Sequence, residues 1–232
     1  MYNSRQSYQV YCDVRADRKG WTLISRFSNS DYKSWTLDDV SWWYDQKVAM
    51  GTTNSPSVNT DMISPAFWLV SGREFKITRS DDPSHTPLLQ TTGNCLAGQT
   101  FRSKITSYGN FRNGKGYSRG RCLGSCTVQY GGQFESTDGF QQAECSGNIQ
   151  SANNVGFWCD LKNGDGTVMM IGGGGRGCAL ADHGIGITQS GGGSGSGGGD
   201  KGDENETEYD FGNNVDTENA PSQSYSLNLW IR

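Results

Sequence analysis

Tyr225-Ser226-Leu227-Asn228-Leu229-Trp230-Ile231-Arg232 are the last eight residues of the 232-residue sequence. Tyr225, Leu227, Leu229 and Ile231 recur at every second position and share one face of a strand, with Trp230 on the other. A strand this apolar has to be paired within the main sheet. Just before it, residues 190–199 are Gly and Ser only, the composition of a flexible linker with no core of its own. Asp200, Asp203, Glu204, Glu206, Glu208 and Asp210 follow. Residues 189–210 therefore read as one mobile surface loop rather than a domain boundary, because only 22 residues remain after it. The expectation is a single domain over 1–232, with its last strand threaded back into the core.

Composition agrees with a sheet-based globule. Hydrophobic residues make up 33% of the chain and 33 residues are Gly, while the mean hydropathy is -0.66. Glycine at that density works against a helical bundle, since each helix-interior Gly costs about 1 kcal/mol. An aromatic content of 11% argues against disorder. No apolar run approaches the roughly 18 residues that a membrane span needs. A net charge of -4 gives no electrostatic reason to expect nucleic acid.

Working along the chain, Tyr8, Val10 and Cys12 alternate as a first strand, and Trp21-Thr22-Leu23-Ile24-Ser25-Arg26-Phe27 reads as a second after a turn. Residues 37–44 suit a short helix with Asp38 or Asp39 near its start. Residues 51–60 are loop. Ala66-Phe67-Trp68-Leu69-Val70 reads as a strand, and Glu74-Phe75-Lys76-Ile77-Thr78 as the next, across a Ser71-Gly72 turn. Residues 80–165 read as a largely irregular, disulfide-pinned region with short β-type pieces such as Thr127-Val128-Gln129-Tyr130. Thr167-Val168-Met169-Met170-Ile171 is a buried strand by its continuous apolar run, ended by Gly172 to Gly175.

Seven cysteines bound the compartment: Cys12, Cys95, Cys122, Cys126, Cys145, Cys159 and Cys178. No CxxC pair occurs, and His85 and His183 lie in unrelated stretches, so a zinc site is disfavoured. Disulfides in an oxidising compartment account for them better. The odd count leaves one thiol free, paired between chains, or missing its partner. Residues 2–7 contain no apolar signal segment. Together with the cysteines, this reads as a chain whose leader, and an upstream segment, have been removed.

Several motifs carry weaker chemistry. Gly109-Asn110-Phe111-Arg112-Asn113-Gly114-Lys115-Gly116 approaches a phosphate-binding loop, but Gly116 stands where a Ser or Thr must hold magnesium. Gly172 to Gly175 offer backbone amides to an anion, or simply allow tight packing. Asp182 and His183 are neighbours, yet no GxSxG-type nucleophile accompanies them. Asp160, Asn163 and Asp165 set oxygen atoms on a turn, as calcium requires, although the spacing departs from an EF-hand and a plain Asx turn is the alternative. If calcium binds, Asp160, Asn163, Asp165 and Asp182 are expected to outrank the 200–210 loop, whose ordering would cost roughly 1 kcal/mol per residue. Asn205-Glu206-Thr207 is an N-glycosylation sequon, and Lys201-Gly202-Asp203 is an integrin-type tripeptide too short to carry weight.

Val10-Tyr11-Cys12-Asp13 followed by Gly20-Trp21-Thr22-Leu23-Ile24-Ser25-Arg26 resembles the opening of a fibrinogen C-terminal-like domain, and Phe67-Trp68-Leu69 is similar to that family's next hallmark. Met170-Ile171-Gly172-Gly173-Gly174-Gly175 and Leu227-Asn228-Leu229-Trp230-Ile231-Arg232 resemble the glycine run and closing strand of intelectins, the calcium-dependent lectin branch. Secreted invertebrate matrix proteins of the skeletal organic matrix type are the nearest group overall. The resemblance covers both ends of the chain and leaves about 80–165 unmatched. It implies an α+β fold with a central, mostly antiparallel sheet, and a secreted, extracellular protein. It also implies that Cys12 pairs upstream and is the thiol left over here. Cys95, Cys122, Cys126, Cys145, Cys159 and Cys178 would then form three bridges of open connectivity.

Two departures bear on function. Where intelectins place a His and oxygen ligands before the glycine run, this chain has Thr167, Val168 and Met169. The Asp-x-Asp calcium pair of fibrinogen domains is missing before Cys145. His183, with Tyr209 and Phe211 as an apolar wall, remains the expected ligand-contacting set. No nucleophile–base pair or cofactor fingerprint points to an enzyme. The expected function is a non-enzymatic recognition module for a glycan or extracellular protein ligand. The alternative is a structural matrix or adhesive protein that self-associates.

Overall fold

The computed structural model describes residues 7–14, 20–28, 47–107, 128–130, 157–158, 167–171, 185–188 and 224–232. Its elements are β1 (Cys12–Asp13), β2 (Trp21–Ser28), β3 (Met62–Ile63), α1 (Ala66–Leu69), β4 (Phe75–Arg79), β5 (Pro87–Thr91), α2 (Phe101–Thr106), β6 (Val128–Tyr130), β7 (Phe157–Trp158), β8 (Thr167–Ile171), β9 (Ile185–Thr188) and β10 (Ser226–Ile231). Seven strands form one sheet in the order β1-β2-β10-β4-β5-β6, with β3 also paired to β2, and β7-β8-β9 form a second sheet. Every pairing is antiparallel. Two short helices beside antiparallel sheets make the described part an α+β fold.

β10 takes the central position its apolar alternation predicts. Leu227, Leu229 and Ile231 lie opposite Phe27, Ser25 and Thr22 on β2, and opposite Arg79, Ile77 and Phe75 on β4. All six residues of β10 are buried, so both faces of the sheet are covered there. The β10–β2 register slips between Leu229 and Trp230, where Ile24 is the extra residue of a β-bulge. Trp230 thereby joins Trp21, Leu23 and Met62 in one cluster, with Tyr11 packed at its margin. A second apolar group gathers around Phe101, whose ring lies 5.6 Å from both Phe67 and Phe75.

The structure corrects the sequence-based expectation at several places. Ala66-Phe67-Trp68-Leu69 is a helical turn, not a strand. Pro65, at φ -53 and ψ -24, already has helical dihedrals, and the Ser64 hydroxyl accepts from the Ala66 amide. This Ser-Pro start outweighs the β preference of the aromatic residues. Ser71 and Gly72 do not make a free turn: Ser71 bridges to Thr100, and the Gly72 amide donates to the Gln99 carbonyl. Gly72 is glycine for a spatial reason, since a Cβ there would stand 3.0 Å from the Arg232 carbonyl oxygen.

The stretch 80–107 is regular where irregular structure was expected. β5 begins with Pro87, a strand-start position at which the missing amide is tolerated. α2 begins at Thr100, whose hydroxyl accepts from the Ser103 amide at 3.1 Å, and it buries Phe101 and Ile105 one turn apart. Thr100→Ala should cost about 1 kcal/mol, read as a lower urea midpoint with an unchanged slope. The first predicted strand reduces to Cys12–Asp13; before it, the Tyr11 carbonyl accepts from the Leu23 amide. The helix predicted at 37–44 lies outside the described residues.

Candidate functional site

The residues expected to hold calcium or ligand, Asp160, Asn163, Asp165, Asp182, His183, Tyr209 and Phe211, lie outside the described residues, as does the sequon Asn205. Their strand neighbours are described. Phe157 and Trp158 of β7 lie opposite Ile171 and Met170, and β9 starts at Ile185, also opposite Ile171. The chain thus enters both β7 and β9 beside the Ile171 end of β8, so residues 159–166 join β7 to the Thr167 end of β8 and residues 172–184 join its Ile171 end to β9. That end runs directly into Gly172.

The described sulfur atoms differ in state. Cys95 is disulfide-bonded, whereas Cys12 is a free, exposed thiol, 4.0 Å from the Thr22 hydroxyl. Cys122, Cys126, Cys145, Cys159 and Cys178 lie outside the described residues. Thiol counting on denatured, unreduced protein should find Cys12 as the one reactive thiol. Several reactive thiols would contradict the oxidised reading.

Among the described residues the most developed polar arrangement surrounds Arg26, to which the sequence alone assigns no role. Its side chain is fully buried, and its donors reach across to the loop 51–61. Nε donates to the Thr60 carbonyl at 2.5 Å, Nη1 to the Ser55 carbonyl at 2.6 Å, and Nη2 to the Thr52 carbonyl and the Thr60 hydroxyl. Burial pulls the Arg26 pKa down to about 10, with the nearby Asp61 charge opposing that fall. Arg26 remains a cation at neutral pH.

The neighbouring strand continues the clamp. Asn228 donates to the Pro56 carbonyl at 2.8 Å and the Ser226 hydroxyl to the Val58 carbonyl at 3.0 Å. Asp61 accepts from the Ser28 amide, and Asn59 accepts from the Ser28 hydroxyl while donating to that of Ser224. A loop rich in Thr, Asn and Ser is therefore pinned by side chains of β2 and β10, leaving Thr52, Asn54, Ser57 and Thr60 exposed. At its start Gly51 has φ +72, and a Cβ there would meet the Asp61 carbonyl oxygen at 2.2 Å. A charged residue inside β2 marks Arg26 as unusual, but nothing local to it names its partners in the loop 51–61.

Cations also stack on the aromatic cluster. Lys76 is buried with its Nζ 4.9 Å from the Trp21 ring and 5.1 Å from the Trp230 ring. The Arg232 guanidinium covers Trp21 at 4.4 Å and pairs with Glu74 at 2.6 Å. Trp230 donates its indole N–H to the Thr78 hydroxyl at 2.9 Å. On the next turn, Asp82 accepts from the Ser84 and Thr86 amides. Burial alone would raise its pKa, but those bonds and the nearby His85 hold it below the ordinary carboxylate value. These contacts organise the sheet; nothing in them resembles a nucleophile with its base.

Among the described residues no group of three or more His, Cys, Asp or Glu side chains converges on a metal position. No described helix is long and apolar enough to cross a membrane. No protein-family model matches the chain, and no curated protein matches it.

Proposed function

We propose that the chain is a secreted, non-enzymatic extracellular recognition module built on a fibrinogen C-terminal-like domain, with a glycan or an extracellular protein as its ligand. One observation carries this reading. Two of the stretches that bear the resemblance, 20–26 and 227–232, come from opposite ends of the chain and are hydrogen-bonded neighbours, with Asn228 opposite Arg26 and Trp230 opposite Leu23. A chance likeness in two short motifs has no reason to bring them side by side. The disulfide at Cys95 supports the extracellular assignment.

The ligand site we assign to the connections on either side of β8, with Asp160, Asn163, Asp165 and Asp182 as calcium ligands and His183, Tyr209 and Phe211 facing the ligand. Preorganised carboxylates beside Cys159 and Cys178 lose less entropy on binding than the acidic 200–210 loop does. Calorimetric titration of calcium should show heat in the parent and in a 190–208 deletion, and none in Asp165→Ala. Loss in the deletion alone would reverse the assignment, and no heat in any of the three would remove calcium from the function. A glycan array run with and without calcium then identifies the ligand class. Absence of any glycan or protein ligand, with a calcium-independent polymer instead, would replace recognition by matrix assembly.

A further inference from the structure

We propose that the Asp82–Pro83 bond is a built-in cleavage site, where the Asp82 carboxylate cuts its own main chain and leaves a two-chain protein that stays assembled. This goes beyond the recognition reading and stands without it. Asp82–Pro83 is the only Asp-Pro pair in the sequence. A proline nitrogen belongs to a tertiary amide and is more basic than other peptide nitrogens, so it leaves more readily. A preceding aspartate can act as the nucleophile, because its carboxylate closes a ring onto its own carbonyl carbon.

The turn that carries this bond is set for that reaction. One Asp82 carboxylate oxygen accepts from the Ser84 amide and the other from the Thr86 amide, both at 2.8 Å. The carboxylate is thereby folded forward along the chain, over the bond that it attacks. The Asp82 carbonyl oxygen accepts from the His85 amide at 3.0 Å, a donor placed where negative charge develops during the attack. His85 holds that donor at φ +50, in the left-handed region, with its own ring buried 5.8 Å from that of Trp230. Pro83 and Ser84 are exposed, so water reaches the bond.

Atoms balance with water as the only co-reactant. An Asp82 carboxylate oxygen bonds to the Asp82 carbonyl carbon, the C–N bond breaks, and the Pro83 nitrogen departs as an amine with a proton from solvent. Water then opens the cyclic anhydride and leaves two carboxylates on Asp82. The rate rises with acidity until Asp82 itself is protonated. Burial alone would raise the Asp82 pKa, but the Ser84 and Thr86 amides and the nearby His85 hold it below the ordinary value, which extends that rise to lower pH. The adjacent charges are paired: Asp81 binds Arg79, whose guanidinium also stacks on Tyr225.

Cleavage leaves the sheet intact. Fragment 1–82 keeps β2, β3 and β4, and fragment 83–232 keeps β5 and β10. The two interleave, with β10 between β2 and β4, and β4 between β10 and β5. Arg232 pairs with Glu74, and Trp230 donates to Thr78, across the same boundary. No disulfide joins the fragments, because Cys12 is a free thiol and every other cysteine follows residue 83.

The test incubates the full chain at the lowest pH, from about 4 upward, at which tryptophan fluorescence shows it folded. Electrophoresis in urea without reductant should resolve fragments 1–82 and 83–232, the second beginning at Pro83. They should accumulate about ten-fold faster than from the same chain unfolded in urea at that pH, because only the folded turn orients the carboxylate. Size exclusion without urea should give one species of the parent's mass. Asp82→Asn and Pro83→Ala should both remain uncut. An uncut native chain, cleavage no faster than in urea, or Asp82→Asn cut at the parent's rate would overturn the cleavage site. Fragments that separate without denaturant would overturn the assembled two-chain state.

Discussion

Removal of residues 225–232 is expected to abolish folding. The deletion takes out the central strand of the larger sheet and exposes the inner edges of β2 and β4 at once. Four fully buried apolar side chains go with it: Leu227, Leu229, Trp230 and Ile231. At about 1.5–3 kcal/mol for each, the lost burial alone is on the order of 10 kcal/mol. Net stabilities of domains are about 5–15 kcal/mol, so no comparable reserve remains. The truncated chain should appear in the insoluble fraction, or in solution without a thermal transition. A truncated protein with the parent's melting curve would contradict the topology.

Arg26→Ala is expected to be the most damaging single charge removal in the described structure. The guanidinium holds carbonyls at Thr52, Ser55 and Thr60, three positions spread along one loop. Its loss strands those acceptors beneath the loop and removes a cation whose charge interacts with the buried Asp61. A cost of about 3–5 kcal/mol is the usual result of removing one member of such an arrangement. Arg26→Lys should recover little, because a single ammonium cannot span carbonyls that a planar fork reaches. The measurement is the urea midpoint of both variants, together with hydrogen exchange in the loop 51–61. Equal stability of the Lys variant and the parent would refute the clamp.

Legibility in the sequence follows the length scale of the signal. β2, β4, β8 and β10 are visible because apolar alternation or an unbroken apolar run marks each of them. The central place of β10 follows from Trp230 being apolar on the face opposite Leu229. α1 is hidden because Phe67 and Trp68 favour strands as isolated residues. Its determinant lies just upstream, in Ser64 and Pro65. α2 is only six residues long, so its Thr100 cap and its Phe101–Ile105 pair are weak against a Gly-rich surrounding. The Arg26 clamp depends on hydrogen bonds across 26 to 34 residues of sequence, which no local pattern encodes. The ligand assignments at 160–183 and 209–211 rest on residue chemistry and resemblance, since they lie outside the described residues.

Native-state hydrogen exchange at β10 tests the central claim most directly, since the whole account depends on the sheet being completed by that strand. Amides of Leu227, Leu229 and Ile231 should exchange only with global unfolding, together with those of Leu23 and Phe27 on β2 and Ile77 on β4. Exchange of the β10 amides at rates typical of exposed chain, while β2 and β4 stay protected, would contradict it.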